Sequence, residues 1–454
     1  MLGTQLTALH DGALPGVDEA VDLIAGFDDA LVNGFARLGE ERTAALVALA
    51  GAVGGTPLGP AAAEAAEKIG AGSISEEHLT TLAGARTALF GAVHDALLDR
   101  LDSALGRTRA AWEGAQPQST DPLAGACRSW LAELAITGWR GVDHDLASAA
   151  DQAIQNLLAE PRLRRLAMLL DGLAAELRAS SPIGAMARLP ARRWADLWAR
   201  ASLLTKTGSL EATERVSGRL LPLGVDIHEH GTAAQIQIHA ILEPQGRLVR
   251  TSVAAAKVDT ISGPFVWQLL SSYPVLLGAL AKRLSLEITD MPLLPGGDLL
   301  WQEGKASSGP SSDPFAAARV QLSGASAPAV PPLERHPVRI AEPVFIEGYR
   351  SDGHTLQLDG ASLAFDLDRL PTSGPLTPQL LKASTACIGL MRWDGGQWRL
   401  QPLAVQANVK KELLAVHNGD WAQGPTDQKV LKSYAKAGDP VAVLKERAGR
   451  LLRK

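Results

Sequence analysis

An α+β protein built from several modules is what this chain predicts, and three observations carry the prediction. Apolar residues recur every three or four positions up to about Thr205. Near Thr207 that texture stops, and apolar residues alternate with polar ones between Gly and Pro breaks. At 454 residues the chain exceeds one ordinary domain of about 150. The expected order is an N-terminal helical bundle over 1–206, a central small antiparallel sheet with a helix over 207–304, a flexible linker over 305–332, a C-terminal small β-barrel or sandwich over 333–424, and a basic tail over 425–454. With 46% hydrophobic and 20% charged residues the chain is expected to fold rather than stay disordered. A net charge of -5 gives no overall field to attract polyanions, so nucleic acid would need a local basic patch.

In the helical part, Val17, Val21, Ile24, Leu31, Phe35 and Leu38 fall on one stripe. Ser75 followed by Glu76 and Glu77 reads as an N-cap with acids in the first turn of a helix running to about Leu105. Leu163, Leu166, Leu170, Leu173 and Leu177 make another stripe, with Pro161 at a first helical position and Arg162, Arg164 and Arg165 facing elsewhere. Breaks at 54–60 and 116–122 separate helices that must pack on one another to bury these stripes. The block Leu189–Thr205 is the most distinctive. Pro190 can start a helix that puts Trp194, Leu197, Trp198 and Ala201 on one stripe, with Arg193, Asp196 and Arg200 off it. Two readings follow. The helix clamps the bundle to the sheet from inside, or Trp194, Trp198, Arg193 and Arg200 form an anchor for another protein, Trp and Arg being favoured at such contacts.

Beyond Leu220 the period is two. Val225, Ile227, Ile236 and Ile238 share one face of a hairpin while Asp226, His228, His230, Gln235, Gln237 and His239 share the other, given an even-numbered turn at Gly231. Arg247 to Val253 reads as a third strand, Phe265 to Arg283 as helix broken at Pro274, and Leu284 to Ile288 as a returning strand. Lys305 to Pro332, rich in Ser, Gly, Pro and Ala, is too poor in large apolar residues to suggest a core, hence the linker. Short strands are then predicted over 338–349, 354–358, 362–367, 388–393 and 398–405, with turns at Asp352-Gly353 and Asp394-Gly395-Gly396 and a short helix capped by Asn408.

Motifs that carry chemistry are incomplete. His228 and His230 project from one side of a strand, the spacing at which two imidazoles reach one metal, while Glu229 points away. A third ligand is the difficulty, because His239, the candidate on the same face, is adjacent to both with neither turn length. A two-residue turn puts it opposite Gly224, about 13 Å along the strand from His228 at 3.3 Å per residue, and a four-residue turn puts it opposite Asp226. A polar face meeting water or another domain is the expectation, with the metal site at His228 and His230 as the alternative. Around Ser362 the sequence Gly360-Ala-Ser-Leu-Ala364 lacks the closing Gly of a nucleophile elbow. Gly304-Lys305 resembles the end of a phosphate loop, but Ala306 stands where Ser or Thr would hold magnesium. Cys127 and Cys387 suggest no disulfide framework, and Cys127 reads as a buried hydrophobe rather than a reactive thiol despite its neighbour Arg128. Acid pairs such as Asp28-Asp29 and Glu40-Glu41 read as wet helix faces. No cofactor is expected.

Two further patterns bear on partners. The tail carries Lys429, Lys432, Lys436, Lys445, Arg447, Arg450, Arg453 and Lys454 against Asp439 and Glu446. With Trp393, Trp398 and Tyr349 as stacking residues of the C-terminal β module, it makes nucleic acid an alternative partner. A membrane is not expected. The tail's apolar stripe has no aromatic residue, and no apolar run reaches the roughly 18 residues a spanning helix needs. The first residues show no basic start before an apolar core, so a cytoplasmic protein is expected.

The block Leu189–Thr205, the hairpin Val225 to Leu242 and Trp267 together resemble a group of bacterial proteins encoded beside MoxR-type AAA+ ATPases, von Willebrand factor A proteins and SWIM zinc-finger proteins. The resemblance covers about the middle third of the chain and carries no catalytic motif. It implies an accessory component of an ATPase system, with an AAA+ ATPase or a von Willebrand factor A protein as partner. The expected function is therefore a non-enzymatic interaction or scaffold protein. A metal-dependent enzyme using the His-bearing hairpin, and a nucleic-acid binder using the C-terminal β module and tail, are the alternatives.

Overall fold

Thr205 is where helices give way to strands. The computed structural model describes residues 1–113, 122–160, 163–207, 211–212, 214–229, 233–258, 261–437, 441–443 and 446. The fold is α+β. Its helical part runs α1 (Gly3–His10), α2 (Val17–Asn33), α3 (Glu40–Ala52), α4 (Gly59–Gly70), α5 (Glu76–Leu105), α6 (Gly125–Thr137), α7 (His144–Ser148), α8 (Asp151–Ala159), α9 (Arg164–Ala179) and α10 (Ala191–Leu204). Pro161 lies outside the described residues.

The long helix α5 organises this part. Ser75 caps it by accepting from the His78 amide at 3.1 Å, and Gly106 closes it in a left-handed conformation. Its first half, through Leu79, Leu82 and Ala83, packs among the helices, while Val93, Leu97, Leu98 and Leu101 from its second half pack into the core of the C-terminal sheet. The helical part is thus not a free-standing bundle. Asp28, expected on a wet face, is buried and receives Arg86 at 2.7 and 3.1 Å; Arg86 also pairs with Asp196 at 2.6 Å. Helix α10 is internal. Trp194 and Trp198 are both 0% exposed, the Trp198 indole donating to Leu131 O at 2.8 Å and the Trp194 indole to Glu176 at 3.2 Å. Reading these indoles as an anchor for another protein is therefore corrected: their area is already buried within the chain.

The central sheet consists of β1 (Glu214–Glu229), β2 (Ala233–Glu243), β3 (Arg247–Ala256), β4 (Leu284–Leu293), β5 (Asp298–Leu299) and β6 (Ala306–Ser311), in the order β1-β2-β3-β5-β4-β6 with β1 also paired to β4. Closure follows from the length of β1. Its start pairs with β4 and its later part with β2, and register shifts at Val216/Gly218 and Pro222/Gly224 bend it between the two. Val225, Ile227, Ile236 and Ile238 form the apolar face and are covered by Leu276, Leu277 and Leu280 of a helix over Pro274–Lys282 and by Trp267 in the short helix Val266–Leu269. These two helices are α11 (Val266–Leu269) and α12 (Pro274–Lys282).

The segment expected as a flexible linker is ordered and packed. Residues 306–311 form β6 against β4, Pro314–Ala317 form α13, and Phe315, Ala318, Leu322 and Ala325 share a core with Leu221, Leu223, Ile241 and Ile388. Small residues let this chain lie close against both sheets, and its one aromatic side chain, Phe315, supplies the anchor. Composition alone hid that.

The C-terminal sheet comprises β7 (Glu342–Glu347), β8 (Arg350–Ser351), β9 (Thr355–Leu358), β10 (Ala361–Phe365), β11 (Ser384–Asp394), β12 (Gln397–Val409) and β13 (Glu412–His417), with a short helix α14 (Pro378–Ala383) before β11. The order is β7-β11-β12-β10-β9-β8, with β13 on β12. This is an open, mostly antiparallel sheet with one parallel pair, β10 to β12, not the expected barrel or sandwich. Helices α1 and α5 cover its apolar side instead of a second sheet. Asn408 does not cap a helix: β12 runs through it and turns at Lys410 and Lys411, both at positive φ, into β13. Helix α15 (Gln428–Ala437) follows, and Lys445, Arg447, Arg450, Arg453 and Lys454 of the basic tail lie outside the described residues.

Candidate functional site

The polar face of the central hairpin forms the floor of a cleft. In the observed register Asp226 is opposite Gln237, His228 opposite Gln235, and Gln237 opposite Ser252. Period-two alternation therefore gathers these side chains on one face, with Arg250 two residues from Ser252. One wall comes from the helical part through His94, Arg109 and Arg165; the other comes from the C-terminal sheet through Glu342, Arg369 and Arg392. Glu334 and Arg339, from the segment leading into β7, sit at the rim. The cleft has a volume of about 790 Å³. A second lobe of about 540 Å³ shares Asp226, His228 and Arg369 and adds Glu229, Lys257 and Thr372. The face expected to meet water or another domain meets two other parts of the chain across this gap.

Asp226 is the hub of the floor. It is 2% exposed and accepts from Arg392 Nη2 at 2.7 Å, from Gln401 Nε2 at 2.7 Å and from His228 Nε2 at 3.0 Å. Burial pushes its carboxyl up, but the hydrogen bond from His228, the Arg392 charge and the Gln401 amide outweigh it and hold the group below the usual carboxylate range. Burial in turn pushes the Arg392 guanidinium down to about 10. The other carboxylates are paired as well. Asp298 takes Arg250 in two bonds of 2.9 and 2.7 Å, and Glu342 takes Arg107 at 3.0 Å and Arg109 at 2.9 Å. Against the burial that raises it, the Arg109 and Arg107 charges bring Glu342 down to about 2.

Among the described residues, six arginines and four carboxylates line the main cleft. Part of that imbalance is met from behind, since Arg109 also pairs with Asp102 at 2.6 Å and Arg369 with Asp366 at 3.0 Å. What is left gathers at the rim, where Arg165, Arg200 and Arg339 converge on the single carboxylate of Glu334.

The candidate metal pair divides. His230 lies outside the described residues. His228 spends its Nε2 on Asp226, whose oxygens are already occupied by Arg392 and Gln401. His239 lies opposite Gly224, the register of the shorter turn, and is 1% exposed; burial pushes its imidazole down to about 3, so it is neutral at ordinary pH. Among the described residues no group of three or more His, Cys, Asp or Glu is placed to hold a metal ion.

The remaining sequence candidates are dispersed. Arg193 is an exposed partner of Glu176, and Arg200 stands at the cleft rim beside Glu334. Ser362 is exposed on β10, and Lys305 binds Asp290 O at 2.8 Å. The Cys127 thiol is pushed up to about 11 by burial. Trp398 and Tyr349 are buried, Trp398 edge-on to Trp393 with centroids 5.1 Å apart, and the Tyr349 hydroxyl pairs with Ser384 Oγ at 2.7 Å. That corrects the stacking role assigned to Trp398 and Tyr349, because the faces a base would need are spent inside, while Trp393 is half-buried.

No family model matches the chain, and no curated protein or solved structure matches it either. Among the described residues, no helix is long and apolar enough to cross a membrane.

Sequence reasoning found the floor but missed both walls. Arg392 carried a usable signal: a cation inside the apolar run Ile388–Trp393 must find a buried partner. Arg109, Arg165 and Glu342 carried none, since nothing local marks them as neighbours.

Proposed function

We propose that this chain is a non-enzymatic interaction protein whose cleft receives a segment of a partner protein. The observation that carries the reading is the lining. Small-molecule pockets are mostly apolar with a few polar groups, whereas this one sets Gln235, Gln237, Ser252, His228 and paired charges along two connected lobes beside an apolar side that includes Leu299, Leu300, Trp301 and Val338. Such a lining suits a hydrogen-bonding polypeptide, and its paired acids and arginines suit selection by charge pattern more than raw affinity. Asp226, a buried carboxylate beside an imidazole, is committed to Arg392 and Gln401, which supports recognition over acid–base work. The partner implied by the resemblance, an AAA+ ATPase or a von Willebrand factor A protein, is part of the proposal.

The test is affinity purification of the full chain from its host, comparing wild type with Ser252→Trp, which fills the cleft floor without touching an ion pair. The expected outcome is a reproducible partner in the first preparation and its loss in the second, with melting temperatures agreeing to within a few degrees. Identical recovery in both, or no partner in either, contradicts the reading.

A further inference from the structure

We infer that the rim of the cleft is a binding site for a phosphate monoester, formed by Arg165, Arg200 and Arg339 around Glu334. This deepens the recognition reading and rests on the cleft being a ligand site. Arg165 comes from α9, Arg200 from α10, and Arg339 from the segment before β7, so three separate pieces of chain bring guanidinium groups to one point. Arg165 and Arg339 contact Glu334 directly, and Arg200 Nη2 lies 3.5 Å from its Oε1. Among the described residues, no other carboxylate is within ion-pairing distance of any of the three.

Three cations in contact with one anion leave an excess of positive charge, offset only in part by the more distant Asp298 acting on Arg165 and Asp196 acting on Arg200. A phosphate monoester is close to a dianion at neutral pH, so it balances that excess, and its three free oxygens suit the planar forks of guanidinium groups. Two further observations point the same way. Arg200 Nε is buried without a hydrogen-bond acceptor among the described residues, a donor left over after Glu334 is served. Burial and the neighbouring Arg165 charge push the Arg200 guanidinium down to about 10, as expected where positive charge is crowded and undercompensated. The site is open to a ligand. The Arg165 side chain is 41% exposed and that of Arg339 36%.

The same chemistry arises from a free phosphorylated small molecule or from a phosphorylated side chain of the partner. Calorimetric titration of the full chain with inorganic phosphate, capped phosphoserine and capped serine separates them. Expected are binding of both phosphates, no binding of capped serine, at least tenfold weaker binding in Arg165→Gln and in Arg339→Gln, and at least tenfold tighter binding in Glu334→Gln, which removes the competing anion. Phosphoserine binding more tightly than inorganic phosphate assigns the site to a partner side chain; equal or weaker binding assigns it to a small molecule. No phosphate binding by Glu334→Gln, or arginine variants that bind as well as wild type, overturns the inference. Its failure is distinguishable from that of the recognition reading, because partner capture lost in Ser252→Trp does not depend on the rim.

Discussion

Asp226 and His239 show how burial sets what a side chain can do. Asp226 sits among three donors and stays ionised in the interior; removing one partner of such a buried pair strands the other, a cost of about 3–5 kcal/mol. His239 meets the opposite fate. With its imidazole pushed to about 3 by burial, the folded chain refuses a proton that the unfolded chain accepts below its ordinary 6.5. The sign follows: this contribution to stability is complete above about pH 6.5 and is lost progressively as pH falls towards 3. His417, down to about 4 for the same reason, adds to the loss over the upper part of that window. His239→Leu is therefore expected to reduce the slope of unfolding free energy against pH by about 1.4 kcal/mol per unit between pH 6 and 4. Urea denaturation across that range measures it, and an unchanged slope refutes the assignment. At this scale sequence was a partial guide. It put Asp226, His228, Gln235 and Gln237 on one face because parity is local, but could not say that His239, on the same face by parity, ends beneath the floor.

Elements were legible where a periodic pattern ran long. The Ser75 cap and α5, the leucine stripe of α9, and the Val225/Ile227/Ile236/Ile238 face all appear as the spacing predicts. Asn408 misled, because a residue suited to capping also tolerates a strand when the hairpin turns only at Lys410 and Lys411. The larger lesson concerns residues 305–332. A Ser/Gly/Pro/Ala composition speaks for flexibility only if nothing nearby wants covering; here both sheets do, and Phe315, 0% exposed, pins the segment between them. Phe315→Ala is expected to cost about 3–5 kcal/mol, as large-to-small changes in a packed core do. Chemical denaturation measures it, and a loss below about 1 kcal/mol shows that the segment is only loosely attached.

For the whole molecule, the modules read from sequence are real as elements but not as separate bodies. Helix α5 serves two cores, and pairs such as Arg107 with Glu342, Arg335 with Asp95, Arg283 with Asp420 and Arg392 with Asp226 tie distant parts of the chain together. Sequence does not show such ties, since they depend on which surfaces meet. The cleft exists only because three parts converge, which is why its floor was foreseeable and its walls were not. The claim that this convergence serves recognition is tested most directly by photocrosslinking in the native host. A benzophenone side chain is placed at position 252 on the cleft floor or, as control, at position 320, where Val320 is 76% exposed on the outer surface. A discrete protein adduct from position 252 and none from position 320 is the predicted result; no adduct from 252, or the same adduct from both, contradicts the account.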